Sequence, residues 1–220
     1  DDCKDTVNQL VTDGFEAVES PIDLSNLSSL KQETETALSI WGTVDILINN
    51  GAVIEPISLI EKLDAQNFET AARINYLAPS LLISYCWSNF VKNRGKVINI
   101  LSGASVNPIE GWAAYCSTKA ALYMINRQTH LEGEKYGISS IGISPGMVDT
   151  EMQGKIRASG VNQISKVKKE DLLNTKQPGL FALWCASPEA NQFSGEMISE
   201  NDPEVKAKYQ AWIKTQAEKL

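Results

Sequence analysis

Three short apolar runs constrain this chain more than anything else in it: "VDILINNG" at 44–51, "GKVINILSG" at 95–103 and "ISSIGISPG" at 138–146. Each is short for a helix, apolar and closed by a turn signal, so each is predicted to be a buried strand. The stretches between them carry a helical period. Residues 24–42 open on serine and asparagine caps and stop at Gly42; residues 64–92 are helical with a break near 75–79; residues 112–136 form a helix ending at Gly137. Less marked segments surround these. A short helix-like start precedes a strand candidate at 15–23, and the polar stretch 149–175 reads as a mobile loop with short helical pieces. An apolar helix at 178–187, a last strand at 194–199 and a final amphipathic helix at 203–220 complete the pattern. Apolar strands alternating with helices need cover on both faces, which predicts an α/β fold with a doubly wound, mostly parallel sheet. No repeat, low-complexity tract or linker interrupts the 220 residues, so 1–220 is expected to be one domain.

Composition excludes several functions. The net charge of −7 argues against a nucleic-acid partner, whose binding would rest on clustered Lys and Arg. No apolar run approaches the ~20 residues of a membrane helix, so no membrane partner is expected. Cys3, Cys86, Cys116 and Cys185 are scattered and His130 is the sole histidine, so no metal site is expected. A Ser-His-Asp triad would need His130, which lies in the polar, late part of a helix. Scattered thiols fit a reducing compartment, and the expected location is cytoplasmic. Cys116, beside Tyr115, reads as a small packing residue.

In open parallel sheets, ligands sit beyond the carboxyl ends of the strands. Here those ends are Asp23, Asn49 to Gly51, Ser102 with Gly103, and Pro145 with Gly146. All carry polar or turn chemistry, which suits a ligand crevice and also suits ordinary strand-ending turns. In "GWAAYCSTKAAL", Tyr115 and Lys119 are four positions apart, on one helix face. They form either a surface pair or a site in which the ammonium lowers a phenol pKa from its usual ~10.

Together these motifs resemble the short-chain dehydrogenase/reductases over essentially the whole chain. Ser102, Tyr115 and Lys119 match that family's serine and Tyr-x-x-x-Lys, and Asn75 in "RINYLAPS" stands where it keeps a fourth catalytic asparagine. "VDILINNGA" resembles the strand ending in Asn-Asn-Ala-Gly, "SPGMVDTEM" the Pro-Gly-x-V-x-T segment, and "IDLS" the end of the third strand. The resemblance implies a Rossmann-type fold and carbonyl–alcohol interconversion by hydride transfer. Tyr115 would be the general acid/base, Ser102 a hydrogen-bond donor to the carbonyl, and Lys119 both a partner of the phenol and a ligand of the nicotinamide ribose. Asn75 would hold a water linking Lys119 to solvent. For the cofactor, Asp23 and Leu24 would lie by the adenine and Asn50 and Gly51 by the adenosine ribose. Pro145, Val148 and Thr150 would hold the nicotinamide, with Tyr115 and Lys119 also in contact. The order Asn49-Asn50-Gly51-Ala52 swaps the last two family positions, where an alanine needing positive φ would be strained.

Within the family the pattern looks most like the sepiapterin-reductase and fungal benzil-reductase type, on residues Ser102–Ser105, Pro108, Gly111–Trp112, Tyr115, Thr118–Leu122 and Val148–Gln153, with Thr118 replacing a serine. That resemblance implies a carbonyl reductase using NADP(H) rather than NAD(H) on aromatic or vicinal-dicarbonyl substrates. Trp112 is either a lid over such a substrate or, as expected of a large apolar ring, a packing residue. The loop at 151–175 is expected to close over the substrate, and its "KVKKE" run to be a solvated face. The family's habit implies a homodimer or homotetramer through the helices at 75–92 and 112–136. One departure is large: the family's opening strand and T-G-x-x-x-G-x-G turn have no counterpart here, so a βαβ unit of ~30–40 residues is missing. The sheet would then have a hole and the 15–23 strand no neighbour. Either the sequence lacks its natural N-terminus, which is the expected case, or it is a short form binding no dinucleotide. In the latter case the chain is an inactive binding or assembly subunit.

Overall fold

The computed structural model describes residues 2–217. Its helices are α1 (Asp2–Thr12), α2 (Leu30–Ser39), α3 (Ala65–Ala72), α4 (Ala78–Asn93), α5 (Ala113–Gly133), α6 (Glu151–Ser159), α7 (Lys176–Ala186) and α8 (Pro203–Ala217). Four parallel strands, β1 (Ile46–Asn49), β2 (Lys96–Ile100), β3 (Ser139–Ile143) and β4 (Met197–Ile198), pair in sequence order. The register is continuous: Ile48 lies opposite Ile98, and Ile98 opposite Ile141.

Side-chain alternation along β2 explains the two layers. Val97 points into a cluster with Ile83, Cys86 and Phe90 of α4, while Ile98 points to the other face, among Phe181, Trp184 and Cys185 of α7 and Val205 and Tyr209 of α8. Both faces of the sheet are thereby covered, as the doubly wound reading requires. The α7–α8 layer is aromatic: Phe181 and Tyr209 meet edge-on at 5.2 Å, and Trp184 lies 5.7 Å from Tyr209.

A chain of buried amides ties the strands together. Asn49 Nδ2 donates to Asn99 Oδ1 (2.8 Å), and Asn99 Nδ2 donates to Asn126 Oδ1 (3.0 Å). Ser140 Oγ donates to that same oxygen (2.9 Å), and Asn126 Nδ2 donates to the Glu196 carbonyl (3.3 Å). Replacing Asn126 with alanine would leave Asn99 Nδ2 on β2 and Ser140 Oγ on β3 without this partner at once, while the Glu196 carbonyl keeps the Gly142 N–H. The expected loss is about 3 kcal/mol of unfolding free energy, read from urea midpoints.

Four expectations change. Residues 15–23 form no strand: a strand exists only where its N–H and C=O groups find a ladder, and β1 carries no neighbour on its outer side among the described residues. In place of a hole, the sheet has an open edge at β1, where Ile46 and Ile48 are exposed. The helix at 64–92 does not break. It runs from α3 into α4 through a π turn, Arg73–Leu77, with Pro79 at the start of α4 where its missing N–H is harmless. The loop at 149–175 is largely helical, comprising α6 and two short 3₁₀ turns, Gln163–Lys166 and Lys169–Asp171. Lys168 and Lys169 face solvent beside Glu170 and Asp149, as a solvated run should.

Candidate active site

The carboxyl ends of β1, β2 and β3 open into one crevice of about 1240 Å³. Ser102 stands just past β2 in extended conformation (φ −163°) and caps the 3₁₀ turn Gly103–Ser105, its Oγ accepting from Ala104 N at 3.2 Å. Extended backbone followed by a capped turn is how a serine at a strand end is aimed outward rather than along the ladder. Tyr115 and Lys119 come from the first two turns of α5, where four-residue spacing stacks them on one face. Ser102, Tyr115 and Lys119 all line the crevice.

Tyr115 is 7% exposed and Lys119 2%. The Lys119 ammonium donates to the Ile100 carbonyl at 2.6 Å and lies 5.8 Å from the centre of the Tyr115 ring. Burial controls both acidities. It pushes the phenol up to about 12, against a smaller downward pull from the Ser102 hydroxyl, and pushes the lysine down to about 8. The expectation that Lys119 lowers the phenol's pKa is corrected here. The ammonium sits on a backbone carbonyl, and removing the phenolate from water outweighs the favourable polar neighbours.

Asn75 is fully buried inside the π turn. Its Oδ1 accepts from Val53 N (2.8 Å), and its Nδ2 donates to Val53 O (2.8 Å) and Thr118 Oγ1 (3.1 Å). The side chain is a clamp between the loop after β1 and α5, with both polar ends committed. These bonds fix where the side chain stands; the water-holding role that the resemblance implies for Asn75 is a proposal.

Of the expected cofactor residues, Asn50, Gly51, Tyr115, Lys119, Pro145, Val148 and Thr150 line the crevice. Asp23 and Leu24 do not. The Asp23 carboxylate is exposed and accepts from Ser25 N (2.9 Å) and Ser25 Oγ (2.7 Å). Leu24 joins a core cluster with Leu30 and Leu82, and its Cδ1 lies 2.8 Å from where a Cβ on Gly51 would stand. A side chain at 51 would have to displace the tip of Leu24. Positive φ is not involved, since neither Gly51 nor Ala52 has it. The swapped order Gly51-Ala52 is unstrained. A buried lysine with one carbonyl partner, in a crevice that exposed Thr150 also lines, fits the ribose-nicotinamide end of a dinucleotide. A Gly-rich phosphate turn is not in this sequence.

The outer wall of the crevice escaped sequence reasoning in part. Met152, Gln153, Lys155 and Ile156 of α6, with Ile164 beyond it, face Ile54, Glu55, Ile109 and Trp112. Lys155 Nζ pairs with Glu55 Oε1 at 2.6 Å, and Asn162 Nδ2 donates to Glu110 O at 2.8 Å. These two contacts pin α6 and the following turn over the crevice. The ion pair is half exposed, so its own contribution is small, about 1 kcal/mol at most. Its partners are 100 positions apart, which is why spacing could not reveal it. Trp112 is buried in this wall and meets Tyr115 edge-on at 5.7 Å, so it packs as expected.

Residues 1–160 match the family model described as short chain dehydrogenase. The chain belongs to the short-chain dehydrogenase family. Among its relatives in that family, a benzil reductase ((S)-benzoin forming) of Bacillus subtilis is 37% identical over 164 residues, 70% of this chain and 66% of that protein. A protein of the same name from Bacillus cereus is 35% identical over 156 residues, 67% of this chain and 55% of its own length. The chain thus spans about half to two thirds of the length of these relatives. The crystal structure of a short-chain dehydrogenase/reductase from Saccharomyces cerevisiae, YIR035C, superposes with a TM-score of 0.74 at 26% identity, covering 90% of this chain and 82% of that one. The sheet and helical layers of this short-chain dehydrogenase are therefore those of its family.

Proposed function

We propose that this protein is an NAD(P)-dependent carbonyl reductase, with NADP(H) as the expected coenzyme, and that Ser102, Tyr115 and Lys119 carry the reaction. The observation that supports this most is their convergence on one crevice that is also lined by an apolar cluster with Ile54, Ile109, Trp112, Met152, Ile156 and Ile164. When bound, the dinucleotide supplies the hydride. Ser102 orients the substrate carbonyl by donating a hydrogen bond and stabilises charge developing on its oxygen. Tyr115 delivers its phenolic proton to that oxygen. Lys119 holds the ribose hydroxyls through its ammonium. Ile54, Ile109, Ile156 and Ile164 exclude water and favour a flat or aromatic substituent. The names of the two Bacillus relatives make aromatic vicinal diketones the first substrates to try.

The pH profile tests the assignment. A phenol at about 12 stays protonated through neutrality, so reduction should be level between about pH 6 and 8. It should fall above about 8 as Lys119 loses its proton. Oxidation of the alcohol needs the phenolate, so it should climb roughly tenfold per pH unit over the neutral range. Rates are followed through the absorbance of the reduced coenzyme. A reduction rate that instead rises with pH from 6 to 8 would reject Tyr115 as the acid.

A further inference from the structure

A buried chain of hydrogen bonds runs behind the crevice and joins two of its walls. Val53 and Ile54, in the loop after β1, line the crevice, as do Tyr115 and Lys119 of α5. Asn75 and Thr118 stand behind them, fully enclosed and 3% exposed respectively. The Thr118 hydroxyl donates to the Tyr115 carbonyl one helical turn back (3.1 Å), so its oxygen is left to accept from Asn75 Nδ2 (3.1 Å). Both hydrogens of that amide are then used, one on Thr118 and one on the Val53 carbonyl (2.8 Å), while Oδ1 accepts from the Val53 N–H (2.8 Å). Turning the amide over would set oxygen against the Val53 carbonyl and nitrogen against the Val53 N–H, so a single orientation is selected.

The chain acts on Tyr115 from two sides. Ile54, next to the clamped Val53, is 1% exposed and packs in one cluster with Tyr115 and Trp112. The cluster that holds the Tyr115 ring therefore includes a loop whose backbone hangs on Asn75. The Tyr115 carbonyl meets the same hydroxyl on which Asn75 rests. Without that hydroxyl one buried amide hydrogen has no acceptor, and the loop is free to shift against the helix. We infer that Thr118 is a positioning residue whose hydroxyl, through Asn75, sets the Val53–Ile54 wall against the turn of α5 that bears Tyr115. The inference rests on the carbonyl-reductase reading for what this placement serves, and adds to it a residue outside the crevice. Branching at Cβ contributes too, because it restricts χ1 and keeps the hydroxyl on Asn75, where a serine would rotate more freely.

Two variants test it. Thr118→Val keeps the shape and removes the hydroxyl, while Thr118→Ser keeps the hydroxyl and removes the methyl. On 1-phenylpropane-1,2-dione with NADPH, Thr118→Val should lower kcat about tenfold and leave KM for the diketone within about twofold. Its solvent deuterium isotope effect should grow, since proton delivery by a displaced Tyr115 becomes the slow step. Thr118→Ser should keep at least about a third of native kcat. Rates are expressed per coenzyme-binding site, which removes any contribution from unfolded protein. The lock is also read without turnover, by hydrogen exchange of the Val53 amide: it should speed up at least about tenfold in Thr118→Val and less than about twofold in Thr118→Ser. Unchanged Val53 exchange in Thr118→Val overturns the inference, as does an equal loss of kcat in both variants or a change in KM alone. Should the valine variant fold poorly, Thr118→Ala lacks the same hydroxyl and carries the same expectations. If the native protein turns over no ketone, the carbonyl-reductase reading fails by itself. Faster Val53 exchange on loss of the hydroxyl alone then upholds the lock, and equal exchange in all variants overturns it.

Discussion

Tyr115→Phe should lower kcat for carbonyl reduction by about 10²–10⁴-fold, because it removes the proposed proton donor while keeping the ring. The ring keeps its edge-on contact with Trp112, and the crevice keeps its shape. Stability should change by no more than about 1 kcal/mol, since the lost hydroxyl has only the Ser102 side chain near it. Steady-state kinetics and urea unfolding on the same preparation separate the two effects. A variant retaining more than a tenth of native turnover would show that the proton comes from elsewhere.

Lys119→Met should move activity and stability in opposite directions. The ammonium is fully enclosed and has one carbonyl partner, an arrangement in which desolvation outweighs the hydrogen bond it makes. A methionine of similar length fills the space without the charge. We expect unfolding free energy to rise by about 1 kcal/mol at neutral pH even though the Ile100 carbonyl loses its donor. Turnover should fall by about 10²-fold or more, as the ribose contact is lost. The pH dependence has a definite sign. Folding lowers the lysine from its unfolded value of ~10.4 to about 8, so its destabilising effect is complete below pH 8 and fades between about 8 and 10.4. The variant's stability advantage should shrink across that window. An advantage that is absent at pH 7, or that grows with pH, would mean the buried lysine carries no such penalty.

The combination has a functional logic. A site that holds a phenol at about 12 and a lysine at about 8 is not arranged for stability. Perturbed acidities cluster where chemistry needs them, and here both lie on one helix face at the mouth of the sheet. On the proposed mechanism the enclosed phenol would serve as a proton donor, which would suit reduction more than oxidation.

Several parts of this architecture were legible before any coordinates. The strands at Ile46, Lys96 and Ser139 followed from compact apolar runs closed by turn residues, and the shared helix face of Tyr115 and Lys119 from their four-residue spacing. Local covalent geometry sets those features, so sequence patterns can carry them: a period of two or 3.6 survives in any context. The family followed from the order of the motifs, each of which is uninformative alone.

Other features depended on what each residue meets in space. Residues 15–23 look like a strand, yet strand formation requires a partner ladder, and no local preference supplies one. Gly51 reads as a turn glycine, yet its φ is not positive and its near neighbour is the tip of Leu24, from a segment 27 positions earlier. Asn75 carries a catalytic pattern, and only the fold shows that its side chain also bridges Val53 and Thr118. The direction of the Tyr115 acidity turned on burial, which no spacing reveals. The Glu55–Lys155 pair arises only when α6 folds across the strand ends. The chain's local patterns thus determined which elements form and which family they belong to. Dielectric environment, side-chain contact and hydrogen-bond completion are properties of neighbours distant in sequence, so only tertiary structure decided how the site is tuned and what it is shaped to hold.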